Sequence, residues 1–496
     1  MAVFFDDIGF HARVRPAKKA ICDLSTKRSW TYLETDEVVS RTVTVLKASG
    51  VVAGERVVVL AKNCAEFIFI HFACARIGAM FVPLNWRLAK PELEYLIKNA
   101  DPALVVGDEC LVENNLDGIT LASWRDQVEA APLFKTVRPD ADKPSLILYT
   151  SGTTGRPKGV LLSENNIATT TENFVVLGHV SNSSVFLCDS PMFHVIGLIV
   201  NVRPALHMGG EVLISNGFKA QQTLTRIAKP DLAISHYFCV PQMALAIRKL
   251  PEYKPEQLSG LTGIFTGGGP HSPAHINAWL NDGIMAIDGY GMSEAGTISG
   301  MPLDGDLVRR HAGAVGITPP GVEISISDLN GNEVGQGEAG EVHVKGANVF
   351  SGYWRNADAV ADAFTKSGWF KTGDIGRIDS DGFLWLLGRS KDMYISGGEN
   401  VYPAEIEGAL AGNPSIAECA VVQQSDEQWG EVGHLFVVPS LDSCLTSENI
   451  VSELNTCLAR YKIPKHVSFI DKLPRNSAGK VRKIILRELL EGAKND

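Results

Sequence analysis

No C-x-x-C pair occurs among the nine cysteines, which stand at positions 22, 64, 74, 110, 188, 239, 419, 444 and 457. So odd and scattered a set suggests neither a disulfide framework nor a zinc site, and it suits a reducing cytoplasm. His71 and Cys74 lie three apart, but on an apolar stretch where core packing is the expected role, and they are assigned no metal. The chain also lacks any long run of lysine or arginine. Together with a formal net charge of −10, this argues against sequence-independent nucleic-acid binding, which depends on clustered basic residues. The first residues, MAVFFDDIGFHARVR, are apolar only briefly and are broken by Asp6 and Asp7, unlike a secretory signal. The most apolar long stretch, Phe67 to Leu84, contains His71 and Arg76 and reaches Pro83, which suits a buried helix running into a strand rather than a membrane span. What is left is a soluble, cytoplasmic protein with a small-molecule partner. Peripheral membrane contact stays open, as does the choice between monomer and homodimer.

At 496 residues, 45% of them hydrophobic and 21% charged, the chain exceeds what one core usually supports, so two or more domains are expected. Short β-branched runs at 56–60, 79–82, 103–106, 145–148, 185–187 and 211–214 alternate with helix-like stretches such as Ala65–Ile77 and Lys90–Lys98, the second with Pro91 at a helix start. This alternation predicts an α/β fold. After about Gly313 hairpin signals take over, at 328–331, at 341–345 and at 379–385, where Asp381-Gly382 marks a turn. From Lys391 the texture changes again, with strands expected at 419–422 and 434–438 and helices around 448–460 and 480–491. The expected organisation is a large N-terminal domain, residues 1–390, of α/β subdomains plus a small β-rich region, followed by a small α+β domain, residues 391–496.

Within this frame, Tyr149 to Val160 reads YTSGTTGRPKGV, dense in glycine, hydroxyls and positive charge. Glycines let backbone N–H groups approach a ligand and a lysine supplies a point charge, so the composition suits a polyphosphate. It is not a Walker A loop, because Pro157 stands where the second glycine belongs and Gly159 where the Ser/Thr belongs. The stretch DGYGMSE, 288–294, follows a strand-like run and is read as a strand-to-helix turn or a ligand loop. Its tyrosine suits stacking on a purine and Glu294 suits a hard cation such as Mg2+. It misses a Rossmann fingerprint and a nucleophile elbow by one residue each, at Glu294 and Ala295. Asp374, closing GWFKTGD, is either a solvated loop acid or an acceptor for ribose hydroxyls. The segment 388–403, GRSKDMYISGGENVYP, is either a plain linker or a hinge, and Lys480 closes PRNSAGK as either a surface lysine or a functional one.

Taken together, these five stretches resemble the adenylate-forming superfamily of acyl- and aryl-CoA ligases, luciferases and peptide-synthetase adenylation domains, over about residues 30 to 485. The resemblance implies that Thr150, Ser151, Gly152, Thr153, Thr154, Gly155 and Lys158 form a loop holding the β- and γ-phosphates of ATP. It further implies that Tyr290 and Gly291 lie against adenine with Asp288 near its amino edge, that Asp374 and Arg389 hold the ribose, and that Ser293 contacts the α-phosphate. Glu294, with Thr150 beside it, would bind Mg2+. Lys480 would bridge the substrate carboxylate and the α-phosphate, and Lys391, or its neighbour Asp392, would be the pivot of a mobile C-terminal domain. Gly397 and Gly398 would line the channel for the thiol of coenzyme A. The acyl group would lie among His194, His236, Tyr237, Gly267, Gly268, Gly269 and Met292, where His236 has the alternative role of a satisfied core histidine.

The activity so implied is ATP-dependent acid–CoA ligation: a fatty or aromatic carboxylic acid is activated as acyl-AMP with release of pyrophosphate, then passed to CoA with release of AMP. An enzyme loading a separate acyl carrier protein, a luciferase-like oxygenase and a non-catalytic acyl sensor are the alternatives; an intact Lys480, Glu294 and phosphate loop argue against the sensor. The wording of 388–403 most resembles bacterial ligases of fatty or aryl acids.

Overall fold

A computed structural model describes residues 6–134, 139–150, 157–269, 271–328, 331–396, 399–441, 443–475 and 480–492. The β-branched runs form the strands of two large sheets. In the first, Pro144–Thr150, Met80–Leu84, Arg56–Leu60, Leu104–Gly107 and Ile119–Thr120 run parallel, and Lys158–Ser163 and Gly352–Tyr353 extend the sheet antiparallel at one edge. Val57 to Leu60 have no exposed surface, as expected of parallel strands covered on both faces. The second sheet has eight strands. Its parallel centre is Ala286–Met292, Gly263–Thr266, His236–Cys239, Val185–Cys188, Glu211–Ile214 and Lys19–Asp23.

The apolar stretch expected to be a buried helix running into a strand is the helix Ala65–Ile77, every residue of which is buried, followed by the strand Met80–Leu84. It ends at Gly78, whose φ of +72° is a left-handed C-cap that costs glycine little. Its ionic and imidazole side chains are met by partners: Glu66 pairs with Arg125 at 2.6 Å, Arg76 with Asp6 at 2.8 Å and with Asp36, and His71 Nε2 lies 3.2 Å from Arg203. Cys74 is buried beside them, and among the described residues no group of His, Cys, Asp and Glu could hold a metal. No helix is long and apolar enough to cross a membrane, among the same residues.

The β-rich region is a four-stranded antiparallel sheet of Val322–Ser327, Gly340–Gly346, Phe370–Ile378 and Leu384–Arg389. From Tyr394 onward the side chains pack into two clusters of their own, one around Tyr394, Leu435 and Leu454, the other around Ala420, Phe436 and Leu486. Their sheet pairs Ile416–Asp426 with Gly430–Pro439, longer than the strands expected, because the hairpin stays paired down to Asp426 opposite Gly430. The helix expected at 448–460 is Ser447–Cys457; Leu458 turns extended (φ −122°, ψ 151°) and ends it early.

One local expectation is corrected. The segment 288–294 is not a strand-to-helix turn: the strand Ala286–Met292 runs through it and returns as Gly296–Gly300. The two glycines make that pairing possible. A Cβ on Gly291 would lie 2.1 Å from the carbonyl oxygen of Gly296, and one on Gly289 would lie 3.1 Å from that of Ser299.

Candidate active site

The two ends of the glycine-rich stretch lie on paired strands. The strands Pro144–Thr150 and Lys158–Ser163 pair antiparallel, with Thr150 directly opposite Lys158 at the open end. Ser151, Gly152, Thr153, Thr154 and Gly155 lie outside the described residues. The return as a strand accounts for the missing Walker A ending, since no helix N-terminus follows that would need Gly-Lys-Ser/Thr. Lys158 does not project freely: its ammonium sits 4.9 Å from the ring centroid of Tyr353. Tyr353 in turn donates its hydroxyl to Glu294 Oε1 at 3.1 Å. Burial raises the Glu294 carboxyl above its ordinary range, against the pull of its hydrogen bonds and of the Arg389 and Lys158 charges.

Residues two apart on a strand share a face, so Asp288 and Tyr290 stand together, while Gly291, Met292 and Ser293 follow half-buried. Asp288 is fully paired in register with Thr266, whose hydroxyl donates to its Oδ1 at 2.9 Å and also meets His271 Nδ1 at 2.9 Å. Desolvation pushes the Asp288 carboxyl up to about 8, and the His271 imidazole down to about 4. Tyr290 reaches across to the β-rich sheet, donating its hydroxyl to Asp374 Oδ2 at 2.5 Å. Asp374 faces Arg389 on the neighbouring strand, and Arg389 Nε meets its Oδ1 at 2.8 Å. Thr372 fixes the turn, accepting the Asp374 N–H at 3.0 Å through its hydroxyl and the Arg389 guanidinium at 3.1 Å through its carbonyl. Residues from three distant segments thus form one connected polar cluster, Tyr290–Asp374–Arg389, with Glu294 within reach of the Arg389 charge.

Lys480 enters this cluster from the C-terminal domain. The residue keeps an exposed surface. Its ammonium is pulled below the ordinary lysine range, chiefly by desolvation and then by Arg389, while Asp374 and Glu294 act to raise it. The same lysine, with Arg87, adds to the burial that pushes His194 down to about 4. His194 Nε2 is buried and has no hydrogen-bond partner among the described residues. Lys480 thus lies within electrostatic reach of two carboxylates, of Arg389 and of an imidazole whose pKa burial has pushed down.

The acyl-site residues are brought together only in part. Gly268 (φ +79°) faces Ile196, whose Cδ1 would be 3.1 Å from a Cβ added there, and Gly267 packs on Phe238. Among the described residues a Cβ on Gly269 would meet Gln242 Nε2 first, at 3.9 Å. Met292 is half-buried at the strand end. His236 is different: it is stacked between Phe186 at 4.5 Å and Phe265 at 5.5 Å, with Nε2 at 2.9 Å from the Gly178 carbonyl and Nδ1 at 2.8 Å from the Ser235 hydroxyl. Both its nitrogens are engaged inside the core, which is the satisfied-histidine alternative. Tyr237, its neighbour on the strand, faces the opposite side of the sheet among Leu187, Cys239 and Trp279, so the two cannot line one pocket.

The arrangement matches known proteins along nearly its whole length. Residues 10–354 match the AMP-binding enzyme family and residues 405–480 the AMP-binding enzyme C-terminal domain. The chain belongs to the AMP-binding enzymes. An indoleacetate–CoA ligase of Aromatoleum aromaticum is 37% identical over 500 residues, 97% of this chain and 96% of that protein. A long-chain-fatty-acid–CoA ligase, FadD13 of Mycobacterium tuberculosis, is 34% identical over 495 residues, 96% of each. The crystal structure of ATP-bound MatB from Rhodopseudomonas palustris superposes with a TM-score of 0.89 at 31% identity, covering 97% of this chain and 98% of that one.

In this AMP-binding enzyme the proposed pivot residues differ in their settings. Lys391 is exposed in the short 3-10 turn Ser390–Asp392, whereas Asp392 is held at 2.7 Å by Arg487 of the last helix. Gly397 and Gly398 lie outside the described residues. Sequence reasoning passed over Tyr353, Thr372, Thr266, His271 and Arg87. For Tyr353 the local trace is Gly352-Tyr-Trp354, two large aromatics after a glycine, but its nearness to the strand from Lys158 arises only through the fold. The others carry ordinary residue types, and their contacts, 5 positions from Thr266 to His271, 22 from Thr266 to Asp288 and 17 from Thr372 to Arg389, leave no local pattern.

Proposed function

We propose that this AMP-binding enzyme is an ATP-dependent acid–CoA ligase acting on a fatty or aromatic carboxylic acid. Its relatives, an indoleacetate–CoA ligase and a long-chain-fatty-acid–CoA ligase, support both acid classes. The observation that carries the reading is the entry of Lys480 from the C-terminal domain into the cleft of Asp374, Glu294 and Arg389. A carboxylate oxygen of the acid attacks the α-phosphorus of ATP, the bond to the bridging oxygen of pyrophosphate breaks, and acyl-AMP forms. The thiol sulfur of CoA then attacks the acyl carbonyl, its proton passing to solvent, and AMP leaves with the electron pair of the carbon–oxygen bond. No residue needs to form a covalent bond; positioning and charge neutralisation supply the rate.

Each residue has a task in that scheme. Lys480 spans the acid carboxylate and the α-phosphate, Tyr290 and Asp288 receive the adenine, Asp374 and Arg389 the ribose, and Ser293 the α-phosphate. Thr150, Lys158 and the loop between them receive the outer phosphates. Glu294 fits Mg2+: it is a half-buried carboxylate, a hard oxygen donor beside the Lys158 strand, and phosphate oxygens and water would complete the oxygen shell. When bound, the cation would neutralise phosphate charge. The C-terminal domain, residues 391–496, turns about Lys391 or Asp392 between the two steps, and Gly397 and Gly398 then line the thiol path. The acid lies by His194, Gly267, Gly268, Gly269 and Met292.

Replacing Lys480 by alanine tests the reading. Acid-dependent pyrophosphate release should fall by about a hundredfold or more, as when a preorganised charge donor is removed, while CoA transfer from supplied acyl-AMP persists. An equal fall in both half-reactions refutes the role given to Lys480. Failure of any fatty or aryl acid to drive pyrophosphate release in the unaltered enzyme refutes the ligase reading itself.

A further inference from the structure

Tyr353 has no assigned role, yet it touches both ends of the phosphate region. It belongs to the two-residue edge strand Gly352–Tyr353, which pairs antiparallel with the return strand of the phosphate hairpin, Tyr353 opposite Val160. Two further bonds fix this segment: Ser351 N–H donates to the Leu161 carbonyl at 2.9 Å and Trp354 N–H to the Gly159 carbonyl at 2.7 Å. On the other side, Phe350 N–H donates to the Glu294 carbonyl at 2.7 Å, and its ring packs edge-on against Tyr353 at 4.7 Å. The Tyr353 ring is therefore held between the hairpin strand that starts at Lys158 and the turn that carries Glu294.

From that place one side chain serves two opposite charges. Its face receives the Lys158 ammonium at 4.9 Å, and its hydroxyl donates to Glu294 Oε1 at 3.1 Å. The Lys158 charge is felt at Glu294, but among the described residues no ion pair joins the two. A ring face is a favourable seat for a cation that needs no counter-charge, and a hydroxyl satisfies a carboxylate without neutralising it. Remove the ring and a lysine and a glutamate in one partly buried cleft are free to close on each other, making a pair that an incoming metal–nucleotide complex would have to break.

We propose that Tyr353 is a positioning residue for adenylation: it holds the Lys158 ammonium and the Glu294 carboxylate apart, each ready for its own partner in the Mg·ATP complex. The proposal rests on the reading of Glu294 as the metal carboxylate and Lys158 as a phosphate ligand. It predicts that Tyr353 governs Mg·ATP binding without governing the acid.

The test is calorimetric titration of ATP at several Mg2+ concentrations with no acid present, together with the KM for the acid in pyrophosphate release. Tyr353→Phe keeps the ring and its packing, removes only the hydroxyl, and should weaken Mg·ATP binding about tenfold, the usual effect of deleting a hydrogen bond to a charged group. The acid KM should stay within about twofold, a split that a general loss of structure would not produce. Tyr353→Leu, lacking the ring face too, should bind more weakly than Tyr353→Phe. Adding Tyr353→Phe to Glu294→Gln should cost little beyond Glu294→Gln alone, since the hydroxyl acts through that carboxylate. Should Glu294→Gln weaken Mg2+-dependent binding while Tyr353→Phe matches the unaltered enzyme, or should the two losses add in full, the positioning role is overturned and the metal reading stands. Should Glu294→Gln leave Mg2+ dependence unchanged, the metal reading falls and the inference with it.

Discussion

Replacing Asp374 by asparagine separates ribose recognition from every other task of the cleft. In the native cluster one carboxylate oxygen accepts the Tyr290 hydroxyl at 2.5 Å and the other accepts Arg389 Nε at 2.8 Å. A carboxylate has about four acceptor sites, so about two remain for ribose hydroxyls. An asparagine has a single acceptor oxygen. Whichever donor that oxygen keeps, the other meets an N–H, and at most one acceptor site is left for two hydroxyls. Loss of one hydrogen bond to a charged group costs roughly 1.5–3 kcal/mol, so ATP binding should weaken by about ten- to a hundredfold. The assay is acid-dependent pyrophosphate release against ATP concentration, repeated with 2′-deoxy-ATP. The unaltered enzyme should penalise the missing hydroxyl by about tenfold, the variant scarcely at all, because its partner is already gone. The acid KM should not follow. An equal penalty for 2′-deoxy-ATP in both enzymes would refute the ribose assignment and leave Asp374 as an anchor for Tyr290 and Arg389 only.

Three further outcomes are expected. Asp392 is tied to the last helix by Arg487 at 2.7 Å while Lys391 is exposed, so Lys391→Pro should slow CoA transfer far more than adenylation in single-turnover measurements; an equal loss in both steps moves the pivot to Asp392. Gly268→Leu should exclude long and aromatic acids while short ones are still adenylated, because even a Cβ there would lie 3.1 Å from Ile196, and each methylene shut out forfeits roughly 0.8 kcal/mol; an unchanged acid profile with weaker ATP use would remove Gly268 from the acyl wall. Burial lifts Asp288 from 3.8 to about 8, so the stability linked to its bound proton is fully present below the unfolded value and is lost as pH rises through about 8. Asp288→Asn, which cannot ionise, should therefore gain in Tm on the unaltered protein between about pH 6 and about pH 9, and a pH-independent difference in calorimetry would contradict the shift.

The elements of the large domain were legible because burial on both faces leaves near-continuous apolar runs: Arg56–Leu60 and Glu211–Ile214 fall where the sequence puts them, as does the buried helix Ala65–Ile77. The stretch 288–294, open between a strand-to-helix turn and a ligand loop, is largely strand for a physical reason. Its glycines suggested a loop, whereas they admit the returning strand, whose Gly296 carbonyl leaves no room for a Cβ at 291.

Of the site, the sequence by itself determined the chemical inventory: the phosphate-loop composition, Tyr290, Glu294, Asp374, Arg389 and Lys480, recognisable since each sits in a short stretch of distinctive wording. Only the tertiary structure decided how those groups meet. It put Tyr290 in hydrogen-bond contact with Asp374 across 84 positions, brought Lys480 up to both carboxylates, set Tyr353 between Lys158 and Glu294, and turned His236 into the core and Tyr237 to the far side of its sheet. A side chain's direction depends on strand alternation and on which sheet it joins. Its charge state depends on what desolvates it, and both are set by neighbours that are remote in the chain.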